Sequence, residues 1–401
     1  AWVPPPAAPP LECEMSEPRY APRTKDEYLA FITDAILDAA KASPPPNRAT
    51  PPTSTSGPGQ ATNLASHVPS TQTHSWRVYA ISDLHADMKA NLTWVNQLPK
   101  YPPNSALIVA GDVATSVDVC RTVFTSLKQK FEEVFWVFGN HELWLPAATP
   151  TRANDATRLG YPDDSLGKLK ALIDVCVECG VRISPTVLPG TTGINVDREG
   201  KINSNDEKKN RTSADVLVVP IIGWYDDAFG GHSNRAYTQV ERDFDAGCKW
   251  PSCVGTQNEP RNSHSPGIGL FFQSVNNFLF SHKLFDSCFQ SIDKKNVVTF
   301  SHFVPLSQVY RGTSSLVRVM GNETIGETAF SLNSKAHVFG HSHVNADDSV
   351  CGGDEEKKTV YTRFVQNALG YPNERWLGNG SPKLVWPRNG GDDGMATCAT
   401  S

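Results

Sequence analysis

Five short apolar runs in this chain each end on residues of a metal-binding type. Asp83-Leu84-His85 follows Val78-Tyr79-Ala80-Ile81, and Gly111-Asp112 follows Ala106-Leu107-Ile108-Val109-Ala110. Phe138-Gly139-Asn140-His141-Glu142 follows Val134-Phe135-Trp136-Val137. Ser301-His302 closes Val297-Val298-Thr299-Phe300, and Gly340-His341-Ser342-His343 closes Ala336-His337-Val338-Phe339. Open α/β sheets bind ligands at the carboxyl ends of their strands, so these endings converge on one rim. The mix of carboxylate, imidazole and amide suits hard-to-borderline divalent ions such as Mn, Fe, Zn or Mg, not a soft thiolate site. A lone Asp at a strand end is usually a turn residue, and a lone buried His a core residue. Five such endings are not explained that way.

The order Asp-x-His, Gly-Asp, Gly-Asn-His-Glu, His, Gly-His-x-His resembles the calcineurin-like metallophosphoesterases. All five motifs are present, between residues 83 and 343. The resemblance implies an α/β fold, a two-sheet β-sandwich flanked by helices in four α-β-β-α layers, with two divalent metal ions. It implies one metal held by Asp83, His85, Asp112 and His343. The other would be held by Asp112, Asn140, His302 and His341, with Asp112 bridging. It further implies that a metal-bridging hydroxide attacks a phosphoester while His141, beside the metals, orients the phosphate and protonates the leaving oxygen. Two cations suit that reaction because they neutralise the phosphoryl oxygens and acidify a water. Glu142 is read either as a support behind His141 or as a plain surface carboxylate.

Departures narrow the class. The second motif continues as Gly111-Asp112-Val113-Ala114-Thr115, without the Val-Asp-Arg-Gly run of the serine/threonine phosphatases. Thr115 stands where purple acid phosphatases place a Tyr. The match that remains is to the broad group of bacterial-type phosphoesterases and cyclic-nucleotide phosphodiesterases.

The elements that must position these residues follow from pattern. Residues 1–74 are rich in Pro, Ser, Thr and Ala and form an N-terminal arm that cannot offset its ordering entropy by burial. One island differs: residues 25–42 carry Tyr28, Phe31, Ile32, Ile36 and Leu37 at helical spacing. That predicts a helix docked on its own domain, or on a partner. Residues 75–372 alternate strand and helix as the catalytic domain, with inserted loops over about 190–266. A single helix is expected over Ile268–Ile292. Beyond Tyr371-Pro372 the chain reads as a polar C-terminal tail, 373–401.

Composition sets bounds. A formal net charge of −5 supplies no general basic field for a nucleic-acid backbone. No apolar run is long enough to span a membrane, and the first residues lack a signal-peptide pattern. A soluble, intracellular protein is therefore expected. Nine scattered cysteines argue against a disulfide framework. Cys176 and Cys179 read as core residues on a helix, and Cys248 and Cys253 as a local disulfide or as two thiols. Three Asn-x-Thr triplets, at Asn91, Asn210 and Asn322, read as chance matches to the glycosylation pattern.

Trp144, Trp224, Tyr225 and Trp376 are candidates for an aromatic wall, with Asn140, His141, Trp224 and Tyr225 as candidate substrate contacts. Asp226 and Asp227 contact substrate or fix the Trp224 loop. His232 and His264 lack motif context, and His282 and His337 read as structural. The leading reading is a dinuclear-metal hydrolase of a small soluble phosphorylated substrate, with monoesters favoured because the insertions narrow the site. Against it stand a phosphodiesterase of cyclic nucleotides or nucleic acid, and a scaffold that uses the fold and the proline-rich arm to hold partners.

Overall fold

The computed structural model describes residues 22–46, 75–145, 159–190, 214–231, 238–244, 247–254, 266–292, 295–352, 360–374 and 380–387. Two sheets form the centre. The first has four strands in the order β10-β1-β2-β3: β1 (Arg77–Ile81), β2 (Ser105–Ala110), β3 (Glu133–Val137) and β10 (Lys383–Trp386). The second has six, in the order β4-β5-β6-β7-β9-β8: β4 (Thr186–Leu188), β5 (Val216–Pro220), β6 (Asn296–Phe300), β7 (Ala336–Phe339), β8 (Ala346–Gly352) and β9 (Val360–Gln366). The helices are α1 (Lys25–Ala42), α2 (Lys89–Gln97), α3 (Val117–Lys128), α4 (Ser165–Cys179), α5 (Gln239–Phe244), α6 (Pro266–Ser281) and α7 (Glu323–Ser331). One-turn helices cover Asn140–Leu143 and Asp286–Phe289.

Every residue of β2, β3, β5 and β7 is buried, as expected of apolar runs covered on both faces. Phe135 of β3 meets Phe300 of β6 edge to face across the two sheets, with ring centroids 6.4 Å apart. The architecture is a two-sheet sandwich with helices outside it.

Register explains the site. β1, β2 and β3 pair in parallel, so the residues after Ile81, Ala110 and Val137 leave one rim. β6, β7 and β9 also pair in parallel, which brings His302, the His341–His343 turn and the segment after Gln366 to one edge. A bridge between Ser82 and Ala368 ties the two rims together.

Helix α1 starts in a capping box of Thr24 and Glu27. Its buried face, Tyr28, Ile32, Ile36 and Leu37, packs on α4 and α6, and Tyr28 Oη donates to Asp164 Oδ2 at 2.5 Å. Asp164 also caps α4 through Gly167 N at 2.7 Å, so one carboxylate joins the two helices.

Two expectations are corrected, that of the long helix and that of the C-terminal tail. The helix expected over Ile268–Ile292 stops at Ser281, where His282 Nδ1 accepts from Leu284 N at 3.1 Å and starts a new turn. Between α4 and β5 the ladder is limited to Thr186–Leu188, because Pro185 has no N–H to offer it, while Arg182 makes an isolated bridge to Phe135. The stretch beyond Pro372 is not all tail: Lys383–Trp386 covers the open edge of β1 as an antiparallel strand. Ala346–Gly352, with no apolar alternation, forms the outer strand of a hairpin with β9. There Asp347 pairs with Arg363 at 2.6 Å and Lys383 at 2.7 Å.

Cys120, Cys176, Cys179, Cys248, Cys253 and Cys288 carry free thiols. No helix among the described residues is long and apolar enough to cross a membrane.

Candidate active site

The candidate residues sit on tight turns at strand ends. Asp83, His85, Asp112, His341 and His343 all have positive φ, between 40° and 73°. L-residues avoid this region, and strain of this kind persists where the surrounding structure over-determines it. Among the described residues only Asn104, Ser291 and Asn333 share it without being candidates. Gly111 and Gly139 permit the close approach. A Cβ at Gly139 would meet the Asp112 carboxylate and the His302 ring, and one at Gly111 would meet the His302 ring.

The turns bring the side chains together in two overlapping groups. Ligand atoms of Asp83, His85, Asp112 and His343 lie within 4.8 Å of one another, as do those of Asp112, His302 and His341. Asp112 belongs to both. Its Oδ2 lies 4.0 Å from His85 Nε2 and its Oδ1 3.5 Å from His302 Nε2. Asn140 Oδ1 stands 3.3 Å from the same His302 Nε2, beside the second group.

Outer contacts orient the rings. His302 Nδ1 donates to Ala110 O at 2.9 Å, His341 Nε2 to Val319 O at 2.9 Å, and His343 Nδ1 to Glu374 Oε2 at 2.8 Å. Each acceptor fixes which nitrogen carries the proton, and so turns the other nitrogen toward the cluster. His302 Nε2 then lies 3.1 Å from His341 Nδ1, and His85 Nε2 2.9 Å from His343 Nε2.

The electrostatics reflect crowded donors. Burial, reinforced by the other four histidines, holds His85 far below the ordinary imidazole range. Burial raises the Asp112 carboxyl to about 6. Burial opposes charge on His343, but the carboxylates of Asp83 and Glu374 outweigh it and lift this group to about 9. Burial thus pushes His85 and Asp112 toward their neutral forms, while the neighbouring carboxylates favour the charged form of His343.

Glu142 is fully buried and touches backbone. It accepts from Gly139 N at 2.8 Å, Asp112 N at 3.0 Å and Val113 N at 2.5 Å, so it clamps the β2 and β3 turns together. It is neither a surface carboxylate nor a hydrogen-bond partner of the His141 ring. That ring packs at a tilt on Trp144, centroids 3.8 Å apart, with Tyr371 Oη 3.4 Å from its Nε2.

A cleft of about 460 Å³ opens over the cluster, lined by Asp112, Asn140, His141, Trp144, His341, His343, Tyr371 and Glu374, among others. Trp224 and Tyr225 do not line it. They are 2% and 5% exposed, and they pack with Phe303, with Trp224 also against Trp250 and Phe272. Large rings that leave a strand beside an apolar core gain more from burial than from solvent. Asp226 accepts from Ala228 N at 2.7 Å in a turn, and Asp227 pairs with buried Arg318 at 3.7 Å. His337 is buried between the hydroxyls of Thr299 and Ser301. Trp376, His232 and His264 lie outside the described residues.

Tyr371 and Glu374 are site residues that motif reading passes over. Both follow β9, and the parallel pairing of β9 with β7 places them on the ligand rim.

The family model for calcineurin-like phosphoesterases matches residues 77–345, the whole span that carries this cluster. The chain belongs to the calcineurin-like phosphoesterase family. Over 104 residues, 26% of this chain, it is 36% identical to acyl-carrier-protein phosphodiesterase PptH of Mycobacterium tuberculosis, and that match spans 29% of the relative's length. The crystal structure of phosphopantetheinyl hydrolase PptH from the same organism matches with a TM-score of 0.52, covering 79% of this chain and 98% of that one at 20% identity. This second likeness is one of fold.

Proposed function

We propose that this phosphoesterase hydrolyses phosphodiesters at a centre of two divalent cations. Asp83, His85, Asp112 and His343 would hold one ion, and Asp112, Asn140, His302 and His341 the other. The observation that carries this reading is the position of Asp112, whose two oxygens face the two donor groups separately. The nitrogen and oxygen donors, with no thiolate, fit Mn, Fe, Zn or Mg. When bound, such ions supply Lewis acidity toward a phosphoryl group and toward water.

The chain's own residues do the rest. Asn140 contributes a neutral oxygen and keeps the negative charge of the second donor group low. His141, between the cluster and the cleft, presents a ring nitrogen to the leaving oxygen, with Trp144 behind it. Glu142 holds the two turns in register.

Three features favour diesters over monoesters. Among the described residues, no lysine or arginine lines the cleft, so a dianionic monoester would meet neither of these cations there. The cleft extends beyond the cluster, leaving room for a second substituent on phosphorus. The curated relative is named as a phosphodiesterase. A phosphopantetheine-type diester linked to a carrier protein is therefore one substrate to try. Metal-loaded protein should cleave bis-p-nitrophenyl phosphate with kcat/KM at least roughly tenfold above that for p-nitrophenyl phosphate. The same sample should contain two metals per chain. A clear preference for the monoester would overturn the diester reading.

Glu374 provides a separate check on the metal site. Glu374→Gln keeps the shape but replaces a charged acceptor of His343 with a neutral one. Metal affinity should fall about 10–100-fold, the usual cost of losing such an outer partner. Competition against a chelating dye reads this directly.

A further inference from the structure

The cleft has a second wall that phosphate chemistry leaves unused. Val240 and Phe244 of α5 form part of it, and Tyr310, Leu316 and Met320, between His302 and α7, form the rest. The wall grades from rim to floor: Val240 is 55% exposed and Met320 3%. A single exposed valine needs no explanation. Five apolar side chains lining one concave surface beside a reacting centre have the character of a ligand surface.

The wall is built and continuous with the cluster. Glu241, buried in α5, accepts from Thr238 N at 2.8 Å while Thr238 Oγ1 accepts from Glu241 N at 3.2 Å, which fixes the start of the helix. Trp144 Nε1 donates to Phe244 O at 3.1 Å, and the Phe244 ring meets His341 edge to face with centroids 5.7 Å apart. Charge points the same way. The ionisable side chains of the cleft are carboxylates, histidines and two tyrosines, and among the described residues no lysine or arginine lines it. A second anionic group on the substrate would find no lysine or arginine to pair with along this wall.

We propose that this wall binds a neutral, apolar substituent of the substrate phosphodiester, and that Val240 and Leu316 set the preference for it over charged substituents such as a further phosphate. The proposal rests on the diester reading above.

The test measures affinity, so it does not depend on turnover. Metal-loaded full-length protein is titrated calorimetrically with methyl alkyl phosphates whose alkyl chain runs from methyl to octyl. Affinity should rise about 4-fold per fully buried methylene, and about 2-fold where the chain stays half exposed. Val240→Asp should flatten the series, and so should Leu316→Ser on a separate element, so that a local fault in one segment cannot imitate the result. Equal affinity along the series, or a chain-length dependence that survives both substitutions, would overturn the proposal. Turnover of the p-nitrophenyl diester is read separately. Chain-dependent affinity without turnover sinks the diesterase reading and leaves the wall standing; turnover with flat affinity does the reverse.

Discussion

Replacing Asp112 with Asn is expected to lower phosphodiester turnover by roughly 10³–10⁵-fold, the scale of the charge stabilisation that a pair of metal ions supplies. Asn keeps the shape and can keep the bond that Oδ1 accepts from His141 N at 3.0 Å. What it loses is the second anionic oxygen. Asp112 faces His85 on one side and His302 on the other, so an amide can serve one donor group but not join two. Metal content should fall from two per chain to one or none. Stability should move the other way in metal-free protein. Burial holds the Asp112 carboxyl at about 6, above its ordinary value, so at neutral pH its ionised form costs folding energy, which the neutral amide avoids. The Tm of metal-free Asp112→Asn should therefore equal or exceed that of metal-free parent protein. Two retained metals with turnover within tenfold of the parent would remove Asp112 from the centre of the mechanism.

Much of this site was legible in the chain because each donor occupies the turn that ends an apolar run. A strand end is read from residues close in sequence, and parallel pairing then gathers the ends. The left-handed backbone at Asp83, His85, Asp112, His341 and His343 was not legible, because it is imposed by contacts such as His341 N to Asp83 Oδ1 at 2.9 Å, which join distant segments. The same limit explains Trp224 and Tyr225. They leave the rim where β5 ends, as ligand residues do, but only the packed structure shows that Phe303 and Phe272 draw them inward. Glu374 and Tyr371 failed in the opposite sense. They belong to no motif, and their place depends on β9 pairing in parallel with β7. Lys383–Trp386 was missed because four residues carry little period, and the exposed edge of β1 decides the pairing.

His141 is expected to show its role through the leaving group. Its ring lies beside the donor groups, with Nε2 3.9 Å from Asp112 Oδ2, and no part of the proposed ligand set depends on it. Substitution should therefore leave metal content unchanged. Burial lowers His141 to about 4, so at neutral pH the resting imidazole is uncharged. It becomes an effective proton donor only when a phosphoryl anion and a departing alkoxide stand against it, because charge on the substrate then favours charge on the ring. An alkoxide leaves poorly without a proton, whereas p-nitrophenolate needs little help. His141→Ala should thus lower kcat for an alkyl diester by about 10²–10⁴-fold, the usual range for general acid–base help. The loss for the p-nitrophenyl diester should be much smaller. His141→Gln separates two parts of the role, since an amide N–H donates a hydrogen bond but transfers no proton. If Gln restores the alkyl substrate to near parent rates, His141 acts by hydrogen bonding alone and proton transfer must come from elsewhere, with Tyr371 Oη, 3.4 Å from the ring nitrogen, a hydroxyl to test. If Gln fails on the alkyl substrate yet serves the p-nitrophenyl one, the proton itself is what His141 provides.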